Sequence, residues 1–146
     1  MDKNLNHRDL SYFRIRLQEL LLTSFPEKVA HSKFIERRAT LASNAYDGAF
    51  TSGNSIDDCN KIADFILFEG LHFSKFDTVF QVVCNEFDTL LADEDLRPFA
   101  LEMLSVCEPY FENYELTDDF AYTYDFDNLY TELTGVISIY IEQHGL

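Results

Sequence analysis

At 146 residues the chain has the size of one ordinary domain and enough length to bury a core. Hydrophobic residues make up 47% and aromatics 15%, with 14 Phe and 8 Tyr, which excludes a disordered acidic chain, a class normally poor in rings. The formal net charge of −15 sits entirely in residues 76–146, which hold sixteen acids and one base, Arg97; residues 1–75 balance ten acids with ten bases. Nucleic-acid binding through a basic face is thereby excluded, because phosphate contacts need clustered Lys and Arg.

The predicted elements are all helical. Leu10, Phe13, Leu17, Leu20 and Leu21 outline a first helix that stops at Phe25-Pro26. Phe34, Ile35, Leu41, Ala42, Ala45, Tyr46, Ala49 and Phe50 outline a second, with Gly53 placed to adopt the left-handed stop. Ser55 and Ser74 each stand three residues before an aspartate (Asp58, Asp77), the arrangement that caps a helix N-terminus and satisfies its dipole. The third helix carries Ile56, Cys59, Ile62, Ala63, Ile66 and Leu67 as its stripe and closes at Gly70. The fourth carries Phe76, Val79, Phe80, Val83 and Phe87. A fifth opens at Asp93-Glu94-Asp95, holds Pro98 in its first turn, runs through Leu101, Leu104 and Val106, and is kinked or ended by Pro109. The last covers about 127–143, capped by Asp125 or Asp127, with Leu129, Leu133, Val136, Ile137, Tyr140 and Ile141 inward. Gly135 within it suggests a close helix approach. No stretch alternates with period two, so the expectation is an all-α, compact multi-helical bundle of five to six helices, folded as a single helical domain over 1–146.

Cys59, Cys84 and Cys107 are odd in number, far apart and beside apolar stripes, which fits reduced core thiols in a cytoplasmic protein. The start, MDKNLNHRDL, lacks a signal-peptide pattern, and no apolar run reaches membrane-spanning length.

The chemistry-bearing patterns are incomplete. Glu69-Gly-Leu-His72 has the spacing of one half of a di-iron site, but no second ExxH exists and Gly70 interrupts the helix. Glu27 and His31 form a single i,i+4 pair. Asp125-Phe-Asp127 opens like a calcium loop, yet Tyr130 stands where its glycine belongs and Val136 where its glutamate belongs. Phosphate-loop, dinucleotide and nucleophile-elbow motifs are absent, and His7, His31, His72 and His144 are scattered. The expectation is no enzyme, no cofactor and no metal.

The remaining feature is ENYELTDDFAYTYDFDNLY, residues 112–130, with six acids and no base; residues 110–130 hold eight aromatics. Tyr114, Asp118, Asp119, Tyr122, Tyr124, Asp125 and Asp127 are the candidate partner-binding residues, rings serving as anchors and carboxylates as a complementary rim. The competing explanation is that about half the rings plug a core and the acids are merely solvated.

The run LFEGLHFSKFDTVFQVVCNEF (67–87) and the run LTDDFAYTYDFDNLYTELTGVISIYIE (116–142) resemble an uncharacterised family of Bacteroides-type bacteria, the domain of unknown function numbered 1896. The resemblance spans nearly the whole chain, including the Tyr12 region and the Ala45-Tyr46 and Ala49-Phe50 pairs, with no departure from Phe68 to Phe80. It implies an all-helical fold, no established activity, no assigned catalytic residues, and genes often carried on or near conjugative mobile elements.

Four readings follow. The first is a non-enzymatic interaction or accessory protein whose acidic half meets a partner's basic surface. A sharper version is an acidic DNA mimic that inhibits a nucleic-acid-binding protein, which requires a contiguous acidic stripe. Another is a homodimer pairing the mildly basic first 38 residues, with eight bases and five acids, to the acidic half. The last is a small-molecule or metal binder using an unrecognised pocket near His72 or Tyr122.

Overall fold

The structure, a computed structural model, describes residues 9–146. His7 and most of the N-terminal pattern read above lie outside the described residues. The described chain is all-α: helices α1 (Leu10–Ser24), α2 (Ser32–Thr51), α3 (Ile56–Leu67), α4 (Lys75–Glu86), α5 (Asp93–Phe111) and α6 (Tyr124–His144), with three single-turn 3₁₀ segments between them. They fall into two compact units, the chain up to Glu69 and Gly70–Leu146. The division nearly coincides with the charge step: residues 1–69 carry ten acids and nine bases, net −1, and residues 70–146 carry sixteen acids and two bases, net −14.

In the first unit α2 packs along α1 and α3. Phe13, Leu17 and Leu21 of α1 are buried with Ile35, Ala42 and Tyr46 of α2 and Cys59, Ala63 and Leu67 of α3. The end of α2 is built as the sequence suggests. Gly53 takes φ +93°, its N–H donates to the Phe50 carbonyl (3.0 Å), and the Asn54 N–H reaches the Ala49 carbonyl (3.1 Å), the paired bonds of a Schellman stop. The Ser55 hydroxyl then accepts from the Asp58 N–H (3.1 Å) and starts α3. Two stripes are narrower than periodicity suggests. Leu41 and Phe50 on α2, and Ile56 and Ile62 on α3, are exposed, because the helix-spaced apolar set exceeds what the neighbouring helices cover.

Arginines knit this unit. Arg14 pairs with Glu36 across α1 and α2. Arg16 grips Asp64 with both terminal nitrogens (2.5 and 3.1 Å) and lies over the rings of Tyr12 and Phe68, tying α1 to α3. Arg38 donates to the carbonyls of Ile66, Leu67 and Glu69 (3.3, 3.3 and 2.7 Å), placing a cation at the negative end of α3 where carbonyls lack helical partners.

In the second unit α4, α5 and α6 pack on one another around Phe76, Val79, Val83, Phe99, Met103, Cys107, Leu129, Leu133 and Ile137. Ser74 caps α4 by accepting from the Asp77 N–H (2.9 Å). Expectations for α5 and α6 are corrected here. Helix α5 continues through Pro109 to Phe111: the missing N–H deletes one bond only two residues before the helix ends. Its buried face is Phe99, Ala100, Met103, Cys107 and Phe111, while Leu101 is exposed and Leu104 and Val106 are half-buried. Helix α6 begins at Tyr124 and its cap is Thr123, whose hydroxyl accepts from the Phe126 N–H (3.4 Å); Asp125 and Asp127 sit inside the first turn, where their charge suits the dipole. Gly135 permits no close approach, since a Cβ there meets nothing within 4 Å.

No helix among the described residues is long and apolar enough to cross a membrane.

Candidate functional site

Between α5 and α6 the chain crosses the second unit in a connection ordered by its own short bonds. The Thr117 hydroxyl donates to Asp119 Oδ1 (2.7 Å), the Phe120 N–H to the Thr117 carbonyl (3.0 Å), and the Thr123 hydroxyl to the Phe120 carbonyl (2.7 Å). A 3₁₀ turn over Phe120–Tyr122 results. Its anchor is Phe120, 2% exposed, which packs edge-on against Phe73 (5.1 Å between centroids), Tyr114 (5.8 Å) and Phe126 (6.2 Å).

With Phe120 fixed inward, the chain turns its neighbours out. Tyr122 is 90% exposed and Tyr124 89%. Asp118, Asp119, Asp125 and Asp127 are exposed on either side of them. Tyr114, expected with this set, stands apart: its half-buried ring packs on Phe120 and its hydroxyl donates to Glu132 Oε1 (3.4 Å). Partial desolvation first, and Glu132 second, push its phenol above the usual tyrosine range. Tyr130 is likewise engaged, donating to Glu86 Oε2 (2.9 Å). Of the eight rings in 110–130, only Tyr122 and Tyr124 are left fully to solvent; Phe111 and Phe120 are buried and the rest half-buried.

Both bases of this unit are turned onto the unit itself. Lys75 pairs with Glu108 (2.5 Å) and sits over the Phe111 ring (5.9 Å); the Arg97 guanidinium lies over Phe76 (4.6 Å). The acids of the 118–127 segment therefore have no basic neighbour in the ion pairs of the unit.

The other residues singled out by sequence do not converge. Glu69 and His72 are both exposed, as are Glu27 and His31, and among the described residues no three His, Cys, Asp or Glu side chains gather as a metal cluster. A shallow depression of about 130 Å³ lies beside His72, lined also by Ser74, Asp77, Gln81 and Phe126. Cys59 and Cys107 are buried and Cys84 half-buried. Burial pushes the Cys107 thiol up to about 12, and desolvation followed by Asp88 and Asp93 raises that of Cys84, the reverse of an activated nucleophile.

Over residues 5–146 the chain matches the family described as Domain of unknown function (DUF1896). The crystal structure of protein PG0816 from Porphyromonas gingivalis is similar to it at 36% identity with a TM-score of 0.89, covering 99% of this chain and 98% of that one. No curated protein matches the chain.

Proposed function

We propose that this chain, which belongs to the DUF1896 family of Bacteroides-type bacteria, is a non-enzymatic accessory protein that docks on a basic surface of a partner protein. The observation that carries this reading is the pair Tyr122 and Tyr124, 90% and 89% exposed within a run of carboxylates that enter none of the ion pairs found among the described residues. Tyrosine is an efficient anchor, offering a large amphipathic contact with few rotors to immobilise. Solvating two such rings in an isolated protein brings no stability, so their exposure at an ordered turn favours use over packing. The surrounding charge, −14 over residues 70–146, steers a basic partner and penalises an acidic one.

The reading places the protein in the cytoplasm, where three unpaired thiols are normal. The link to conjugative elements implied by the family resemblance suggests a partner encoded by, or targeted by, such an element.

The test is recovery of partners from the native host on the immobilised full chain, against a variant carrying Asp118→Lys, Asp119→Lys, Asp125→Lys and Asp127→Lys. Partners held by the wild type are expected to be absent from the variant and to elute as salt approaches about 1 M, where the Debye length falls to about 3 Å. Equal recovery on both columns contradicts the reading. If the captured protein binds nucleic acid and loses its DNA on capture, the contact is of the DNA-mimic kind.

A further inference from the structure

A broad concavity of the second unit lies away from the tyrosine turn, along the seam of α5 and α6. One part, about 630 Å³, opens between the start of α5 and the end of α6 and includes Asp95, Phe99, Glu102, Tyr140 and His144. A second part, about 320 Å³, shares Tyr140 and His144 and continues along Val106, Tyr110, Val136 and Ile139. The floor is apolar. Ile139, 54% exposed, stands at its lip with no polar function of its own.

The acidic side chains of the groove lie at one end of it, and Gln143 and His144 are the other polar groups beside its tyrosines. Asp95 and Glu102 supply carboxylates, and no Lys or Arg lines either part. Glu102 is held in place: it accepts the Tyr140 hydroxyl (3.4 Å), and Tyr140 is fixed in turn by the His144 ring stacked on it, with centroids 4.2 Å apart. His144 Nδ1 lies 3.1 Å from the Tyr140 carbonyl, which keeps that ring against its helix. The seam from Asp95 to Tyr110 corresponds to about 22 Å of helix at 1.5 Å per residue.

An apolar trough of this length, with Asp95 and Glu102 at one end and no Lys or Arg along it, is complementary to a helix that carries an apolar stripe and a Lys or Arg where it meets those carboxylates. We infer that the α5–α6 groove receives a basic amphipathic helix of a partner protein, its apolar stripe on Val106, Val136, Ile139 and Tyr140 and a cationic side chain on Glu102. The inference rests on the reading that the acidic unit meets a basic partner. It adds a second contact that discriminates by shape and apolar spacing, where the tyrosine turn discriminates by charge and rings.

The probe is a synthetic Leu/Lys peptide of about 18 residues, about 27 Å as a helix, titrated into the full ¹⁵N-labelled chain, with a Leu/Glu peptide of the same pattern as control. The expected result is saturable shifts at Glu102, Val106, Val136, Ile139 and Tyr140 with the Leu/Lys peptide and none with the control. Ile139→Glu and Glu102→Lys, both at exposed positions, are each expected to weaken binding at least tenfold while leaving the far-UV spectrum unchanged. Shifts confined to 118–127 overturn the groove but leave the tyrosine-turn reading standing; shifts at neither place overturn the groove and remove the electrostatic support for that reading. Groove binding that ignores Ile139→Glu, or that the Leu/Glu peptide reproduces, also overturns the inference. So does concentration-dependent broadening of groove signals without peptide, which makes a second copy of the chain the occupant.

Discussion

The chain up to Glu69 and the chain from Gly70 onward each present three helices, yet they are held by different interactions. In the first, nearly balanced charges become internal struts: Arg14 to Glu36, Arg16 to Asp64, and Arg38 on the end of α3. In the second, carboxylates outnumber bases so heavily that most cannot be paired within the unit, and a cluster of rings around Phe120 holds the connection to α6 instead. A unit whose charge cannot be neutralised internally faces solvent or a partner with it. That is why the exposed tyrosines matter more here than the exposed Phe65 of the first unit, 72% accessible but set on α3 in a unit whose charges nearly cancel.

The sharpest way to break this contrast is to remove the ring cluster. Phe120→Ala deletes a fully enclosed ring and is expected to cost about 3–5 kcal/mol, read by urea denaturation of the full chain. A loss below about 1 kcal/mol, within the usual scatter for surface positions, means that Phe120 is not the anchor.

Alkaline pH separates the units next. Cys107 is raised from 9.0 to about 12 by burial, so its neutral thiol is favoured in the folded state. A raised folded pKa contributes stability that is complete below the unfolded value and is lost as pH rises through the folded one. The urea midpoint of the second unit is therefore expected to fall progressively from about pH 9 towards 12, and Cys107→Ala to flatten the portion below pH 10. Above pH 10 the phenols of Tyr114, Tyr130 and Tyr140, all shifted upward chiefly by desolvation, add to the decline. A variant that retains the full slope between pH 9 and 10 refutes the assignment to this thiol.

A smaller effect belongs to the first unit. Asp64→Asn leaves Arg16 over Tyr12 and Phe68 but removes its charged acceptor. With both partners partly exposed, the expected cost is about 1 kcal/mol, shrinking with added salt. Salt-independent destabilisation of that size indicates lost packing rather than a lost ion pair.

Much of the fold was legible because local chemistry decides it. Ser55, Ser74 and Gly53 read as helix boundaries, and each makes the backbone bonds that its residue type favours. What failed depends on neighbours. The buried phase of α5 is set by Met103 and Cys107, weaker apolar signals than Leu101, which faces out. The α6 cap went to Thr123 because the Phe120 anchor fixes where the chain enters, a tertiary constraint that favours Thr123 over the equally suitable Asp125 and Asp127. Within 110–130, residue type alone cannot separate Tyr114, bonded to Glu132, from Tyr122, bathed in solvent. The groove was invisible for the same reason: Glu102 and Tyr140 are 38 positions apart in sequence.

On the proposed function, the second unit keeps two tyrosines for a partner and not for its own fold. The direct measurement is the full chain carrying Tyr122→Ala and Tyr124→Ala, assayed together for unfolding free energy and for recovery of the host partner. The expected result is a stability change within about 0.5 kcal/mol, as for other surface positions, with partner recovery reduced at least tenfold. A protein destabilised by several kcal/mol, or one that captures its partner as well as the wild type does, contradicts it.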